Sequence, residues 1–186
     1  MKRLVDIAGG LAGLIVLSPV LAALAVAVRL ETPGPALHWS RRVGRGNCIF
    51  PMPKFRTMRT DTPQVATHLL PDPERWITPL GRFLRRTSLD ELPQLWSVLK
   101  GDMSLVGPRP ALFNQEDLVA LRTEGGVDRL RPGLTGWAQI NGRDELPIPD
   151  KVKLDCEYLE RMSLLFDLRI LLATARAVAG GRGVSH

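Results

Sequence analysis

The longest uninterrupted apolar stretch runs over residues 7–28, 22 positions without a charge between Asp6 and Arg29. Near its middle stands Ser18-Pro19, inside GLIVLSPVLAAL. A proline in a helix interior removes one backbone donor and clashes with the preceding turn, at a cost of about 3 kcal/mol. The pattern therefore predicts two short helices, residues 7–17 and 20–28, joined at a break at Ser18 and Pro19. Each half measures roughly 14–17 Å at about 1.5 Å per residue, too short for a hydrocarbon core of roughly 30 Å. Ser18 is placed to satisfy a backbone group that Pro19 frees.

Beyond this block the apolar positions recur on shorter periods. Residues 36–58 carry brief apolar runs around the glycines of RRVGRG, which predicts a small β-hairpin. Pro51 and Pro53, just before KFRTM, leave its register open. Pro63, Pro71 and Pro73 mark an irregular loop. Thr78 then reads as an N-cap with Pro79 at the first helical position. Ile77, Leu80, Phe83 and Leu84 make an apolar face opposite Arg82, Arg85 and Arg86. Further helices are expected over 90–100, over 111–124, from a cap at Asp150 to 162, and over 164–179. The last is apolar yet carries Asp167, Arg169 and Arg176, which fits one face in the core and one at a membrane interface.

Charge placement bears on the first segment. Lys2 and Arg3 precede it, and Arg29, Arg41, Arg42, Arg45, Lys54, Arg56 and Arg59 follow it. The positive-inside rule pulls both ends towards the cytoplasm, which a single span cannot satisfy. A hairpin that enters and leaves one leaflet does satisfy it. A cleaved signal peptide, with Ala25-Val26-Ala27 as an A-x-A site, and a kinked span stay open on length and charge alone.

Composition narrows the class. A chain of 186 residues with 45% hydrophobic and 24% charged positions is one folded domain rather than a disordered segment. A net charge of +6 points to a polyanionic partner: nucleic acid, an anionic membrane surface or a phosphorylated substrate. An aromatic content of 5% argues against base stacking. Cys48 and Cys156 read as free thiols of a reducing compartment. His38, His68 and His186 lack metal-ligand spacing.

The densest polar chemistry lies in RFLRRTSLDELPQLWSVLKGDMS. Asp90 and Glu91 are adjacent acids preceded by Arg82, Arg85 and Arg86. Ser88-x-x-Glu91 fits a capping box, the bland account of both acids. With Ser88 as the cap, however, Pro93 falls at the fifth helical position and removes a helix bond. With Asp90 as the cap it falls at the third, where the N–H is an orphan anyway. That frame sets the Asp90 carboxylate beside backbone amides that also suit phosphate, as a nucleophile for phosphoryl transfer would be. Lys54 and Arg56 of KFRTM, two apart, point to one side of a strand. Arg109 of GPRP is stiffened between two prolines. RPGLTGWAQINGR, from Arg131 to Arg143, offers glycines that let amides approach a pyrophosphate or a base. A second acidic pair, in DELPIP, lacks neighbouring arginines and reads as a loop. Taken singly, each basic piece fits a solvated arginine or an ordinary loop better than a binding site.

In this order the broken apolar segment, KFRTM, RRTSLDELPQL, KGDMSLVGPRP and RPGLTGWAQINGR resemble the bacterial monotopic phosphoglycosyl transferases, over nearly the whole chain. The likeness is to small members that consist of the catalytic unit alone. It implies an α-rich α+β fold: a monotopic membrane protein with a re-entrant N-terminal helix-break-helix, a small β-hairpin and amphipathic interfacial helices. Residues 1–30 would be the membrane hairpin and 31–186 a cytoplasmic catalytic domain integrated with it, at the cytoplasmic face of the bacterial inner membrane. The implied reaction moves a sugar 1-phosphate from a UDP-sugar to polyprenol (undecaprenyl) phosphate and releases UMP, the first membrane step of glycoconjugate assembly. Downstream glycosyltransferases would then use the lipid-linked product. By resemblance Asp90 attacks the β-phosphate to give a covalent phosphosugar intermediate. Asp90 and Glu91 would hold Mg²⁺. Arg85 and Arg109, and less directly Lys54, Arg56, Arg131 and Arg143, would bind phosphates. The rival reading, a basic membrane-anchored scaffold or nucleic-acid-binding module, leaves KGDMSLVGPRP and the acidic pair unexplained.

Overall fold

A computed structural model describes residues 1–62, 72–142 and 146–179. Among them the architecture is helix-rich α+β, with two small two-stranded sheets. It opens with α1, Lys2–Glu31, a helix of 30 residues that is long and apolar enough to cross a membrane. The two half-helices expected around Ser18-Pro19 are thus one continuous helix. Ser18 supplies the reason: its hydroxyl donates to the Ile15 carbonyl at 2.8 Å. That carbonyl, four residues before Pro19, is the one the missing N–H leaves without a partner. The side-chain patch replaces the lost helix bond, and the expected break does not open.

The rest of the chain holds α1 at both ends. At the start, Lys2 donates to the Asp167 carboxylate at 2.7 Å and to the Val106 carbonyl at 2.9 Å. Arg3 donates to the carbonyls of Val98 and Leu99 at 2.6 and 2.7 Å. Buried Asp6 accepts from the Ser104 hydroxyl and the Leu105 amide, both at 2.9 Å. Small residues bring this part of α1 close to its neighbours; a Cβ at Gly10 or Gly13 would press within 3.1 or 3.2 Å of Leu99 or Leu95. Near the other end, Val28 is buried with Phe55 and Leu84, and Leu21 and Leu24 pack beside them. The opposite face, including Leu11, Ile15, Val16 and Val20, is exposed.

The expected hairpin forms from β1, Leu37–Val43, and β2, Ile49–Phe55, paired antiparallel. Pro51 and Pro53 sit in regular register opposite Arg41 and Trp39. Being two apart, they direct their missing donors to the same free edge, the one place in a sheet where proline costs little. β2 ends at Phe55, so the strand alternation that would put Arg56 on the Lys54 side stops one residue early.

Next comes α2, Pro79–Thr87, whose N-cap Thr78 accepts from the Gly81 amide at 2.9 Å, as the sequence pattern predicts. Ser88 then adopts a left-handed backbone (φ 56°) that closes α2 and turns the chain back. The expected α-helix from Asp90 is instead a 3₁₀ turn, Leu89–Gln94, leading into α3, Leu95–Lys100. Neither capping frame is adopted: Ser88 precedes the turn without a side-chain cap bond, and Asp90 lies inside it. Pro93 withholds its donor inside this turn, and short i→i+3 bonding serves there instead.

Two three-residue strands, β3 (Ser104–Val106) and β4 (Gly133–Thr135), pair in parallel. The glycines of RPGLTG make this possible: a Cβ at Gly133 or Gly136 would collide with the backbone of Gly107. Their space admits the GPRP backbone, not a nucleotide. α4 is Glu116–Glu124, shorter than expected, and α5 is Trp137–Ile140. α6, Ile148–Arg161, begins two residues ahead of the expected cap at Asp150, so the end of DELPIP is helical. Its Asp144 and Glu145 lie outside the described residues. In α7, Leu164–Ala179, Phe166 and Ile170 pack with Val106 and Tyr158, while Leu165, Leu168 and Leu172 face outwards. One face in the core and one exposed is what the sequence of α7 predicts.

Candidate active site

The turn at Ser88 folds the end of α2 back over the 3₁₀ turn, which packs against β2. This brings Lys54, at the end of β2, and Arg85, on α2, to Asp90. Asp90 is only 5% exposed, and its Oδ1 is buried without a hydrogen-bond partner. Burial, reinforced by the neighbouring Glu91 charge, raises its pKa from 3.8 to about 6; Lys54, Arg85 and Arg109 pull the other way. A buried acid that outweighs three cations is a costly arrangement for a fold to keep. Lys54 is perturbed in mirror image. Burial, then Arg42 and Arg85, lower its pKa from 10.5 to about 8, against the pull of Asp90 and Glu91.

Glu91 is clamped by Arg109, whose two terminal nitrogens donate at 2.9 and 3.4 Å. The GPRP segment that carries Arg109 is fixed through its carbonyls. Arg42 donates to the Pro110 carbonyl at 3.1 Å and Arg122 to that of Arg109 at 2.8 Å. The Gly107 amide donates to Thr135 and the Gly133 amide to Pro108, at 2.9 and 2.8 Å. Arg122 is itself held by Asp155, at 2.6 and 2.9 Å, in the interior. Arg85 is oriented by the hydroxyl of buried Thr57, which accepts from its Nε at 3.0 Å.

This is a paired carboxylate at the centre of a ring of fixed cations. Lys54, Arg85 and Arg109 surround a carboxylate whose Oδ1 is buried and makes no hydrogen bond. Such an arrangement suits attack on a phosphoryl group.

Residues 1–181 match the family model described as bacterial sugar transferase. The chain belongs to this family. An uncharacterized sugar transferase of Bacillus subtilis, EpsL, is 42% identical over 188 residues, covering all of this chain and 91% of its own length. The UDP-glucose:undecaprenyl-phosphate glucose-1-phosphate transferase of Escherichia coli is 41% identical over 182 residues. The undecaprenyl-phosphate galactose phosphotransferase of Salmonella typhimurium is 39% identical over 196 residues. These alignments cover 94% and 96% of this chain but 39% and 40% of the two relatives, so the chain spans less than half the length of these longer proteins.

In this sugar transferase the expected phosphate-binding residues divide into two groups. Lys54, Arg85 and Arg109 converge on the acidic pair. Arg56 does not. Buried, it caps the end of α1, donating to the carbonyls of Pro33, Thr32 and Val28 at 2.8, 2.6 and 3.2 Å and to the Thr32 hydroxyl at 2.8 Å. Arg131 donates to the Gly101 carbonyl at 2.8 Å, beside the start of α1. Arg143 lies outside the described residues. Sequence reasoning missed His38 and Arg42, which share a face of β1. His38 pairs across the hairpin with Lys54, and burial, Lys54 and Arg42 lower its pKa. Their signal was the alternation His38, Ser40, Arg42. Arg122 and Asp155, 33 positions apart, left none.

Proposed function

We propose that the protein transfers a sugar 1-phosphate from a UDP-sugar to polyprenol phosphate and releases UMP, at the start of polysaccharide assembly. The observation that carries this reading is Asp90, a buried carboxylate with one unengaged oxygen among three cations, in a chain of this family. Asp90 attacks the β-phosphorus of the donor, the P–O bond to UMP breaks, and the sugar phosphate is held as an acyl phosphate. The acceptor's phosphate oxygen then attacks the same phosphorus and returns Asp90 as carboxylate. Lys54, Arg85 and Arg109 offset charge on the phosphates during both steps.

Mg²⁺ fits this reading in a restricted sense. Among the described residues there is no cluster of three or more His, Cys, Asp or Glu side chains. Mg²⁺ is commonly held by one or two carboxylates plus substrate phosphates and water, and Asp90 with Glu91 supplies that pair. When bound, it would neutralise charge on the pyrophosphate and on departing UMP. Ringed by cations, the pair would take the metal together with the donor rather than alone.

The way α1 is held supports a monotopic seat, which we place at the cytoplasmic face of the inner membrane because basic residues flank both ends of the apolar segment. Lys2 and Arg3 at one end and Val28 at the other contact the same folded unit, so both ends lie on one side. The exposed face of α1 then rests in a single leaflet, with both ends of the helix at its surface. Residues 1–30 and the remainder act as one body. A polyanion-binding scaffold would gain nothing from a buried acidic pair among its cations.

The test uses membranes containing the protein, radiolabelled UDP-sugars, Mg²⁺ and polyprenol phosphate. Wild type should release UMP and label the lipid, and Asp90→Asn should do neither. Normal turnover by Asp90→Asn would overturn the nucleophile. Single cysteines near Lys2 and Glu31, in a background without Cys48 and Cys156, should react with an impermeant thiol reagent from the same side.

A further inference from the structure

A second basic site lies away from Asp90. A cavity of about 170 Å³ is bordered by Lys2 and Arg3 of α1, Arg45 at the hairpin tip, and Arg129 and Arg131 before β4. None of Lys54, Arg85, Arg109 or Arg42 borders it. Like charges drawn from three parts of the chain repel one another, and little in the fold offsets them. Asp6 also lines the cavity, but its carboxylate is turned to Ser104 and Leu105. Lys2 has Asp167. Among the described residues no ion pair engages Arg3, Arg45, Arg129 or Arg131.

Two of the cations are fixed by backbone. Gly101, at φ +100°, offers its carbonyl to Arg131 at 2.8 Å, and a Cβ there would come within 3.2 Å of the Arg3 guanidinium. Arg3 in turn is anchored by the carbonyls of Val98 and Leu99. Carbonyl anchors hold these guanidiniums in place without neutralising them, so the site keeps its charge for an anion from outside.

Its surroundings say what kind. The Lys2–Asp167 bridge joins the start of α1 to the start of α7. Around that junction Leu4, Val5, Met162, Leu165 and Leu168 are exposed. Cations in a recess beside an exposed apolar surface match a phosphate that carries acyl chains. The volume is below the ~300–1,000 Å³ of sites for whole small molecules and suits a headgroup better than an entire nucleotide sugar. The acceptor's phosphate must reach Asp90, which these residues do not approach.

We propose that this cavity binds the phosphodiester headgroup of an anionic phospholipid, fixing the α1–α7 junction to the leaflet. The inference rests on the membrane seat proposed above, but its test does not require turnover. The full-length chain in neutral detergent micelles is unfolded thermally with added phosphatidylglycerol or phosphatidylcholine. Phosphatidylglycerol should raise Tm by about 2–4 °C over phosphatidylcholine. Arg45→Glu with Arg129→Glu, both exposed and outside the Asp90 cluster, should abolish that shift and keep wild-type transfer in phosphatidylcholine micelles. A variant of equal net charge, Arg75→Glu with Arg86→Glu, should keep the shift. Equal shifts from the two lipids, or loss of the shift in both variants, would overturn the site. So would protection through Arg45 and Arg129 by polyprenol phosphate but not by phosphatidylglycerol. Failure of transfer with the lipid shift intact would count against the proposed reaction alone.

Discussion

Arg122 on α4 and Asp155 on α6 form a buried ion pair, with two hydrogen bonds of 2.6 and 2.9 Å, and a third N–H of the same guanidinium reaches the Arg109 carbonyl at 2.8 Å. Arg109 clamps Glu91, so a pair outside the site sets the position of a residue within it. Asp155→Ala leaves a guanidinium uncompensated in the interior and is expected to cost about 3–5 kcal/mol, read as a fall in Tm. Replacing both partners, Arg122→Met with Asp155→Leu, removes the stranded charge and should recover most of that stability. It should not recover transfer, because the Arg109 carbonyl still lacks its donor. A double variant that is stable and fully active would show that the pair serves packing only.

The perturbed groups set the pH range of activity. Asp90 must be ionised to attack, and its pKa of about 6 puts the acidic limb of kcat/KM there. In the proposed reaction Lys54 binds phosphate as a cation, so its pKa of about 8 is expected to set the alkaline limb. A bell with midpoints near those values is expected in steady-state rates measured from pH 5 to 9. Lys54→Arg should move the alkaline limb upwards and leave the acidic limb in place, since arginine stays charged throughout.

The same burial predicts a stability effect of opposite sign to the catalytic one. A carboxyl whose folded pKa is raised favours the folded state below its unfolded value and loses that contribution as pH climbs through the folded one. For Asp90 the window runs from 3.8 to about 6, corresponding to at most ~2–3 kcal/mol. Asp90→Asn, inactive, should therefore melt higher than wild type above pH 6. The gap should close by pH 4. A variant less stable than wild type at pH 8 would mean that attraction to Lys54 and Arg85 outweighs burial.

Local pattern carried much of the fold. Thr78-Pro79 is the cap of α2, the brief apolar runs around RRVGRG are the hairpin, and the motifs around Asp90 and Arg109 name the family. Part of what escaped depends on contacts between distant positions, as with Arg122 and Asp155, and part on local geometry that leaves no pattern. Proline at 19 reads as a break because its cost is local; the expected role of Ser18 holds, and its bond to the Ile15 carbonyl is enough to keep the helix continuous. Asp90 reads as an α-helical cap because a 3₁₀ turn leaves no periodic signature in six residues. RPGLTGWAQINGR reads as a ligand cradle because a glycine needed for a neighbouring backbone looks the same as one needed for a phosphate. Arg56 and Lys54 share a motif and divide only because β2 stops between them.

That division gives the last expectation. Arg56 makes four hydrogen bonds to the end of α1: two to the Thr32 and Pro33 carbonyls at the helix exit, one to the Thr32 hydroxyl, and one to the Val28 carbonyl, which the Thr32 amide also reaches. Arg56→Lys keeps the charge but cannot span those acceptors, and it strands part of a buried network. It should cost about 2–3 kcal/mol, measured by thermal unfolding in micelles, and loosen α1 at residues 28–33 to hydrogen exchange. At a temperature where both proteins are folded, KM for the UDP-sugar should be unchanged. Lys54→Met should behave in the reverse way, holding or raising Tm because a buried charge is removed, while kcat/KM falls at least ~100-fold with the loss of a cation from the phosphate site. If Arg56→Lys instead raised KM with no change in Tm, the guanidinium would belong to the donor site, and the capping role would fail.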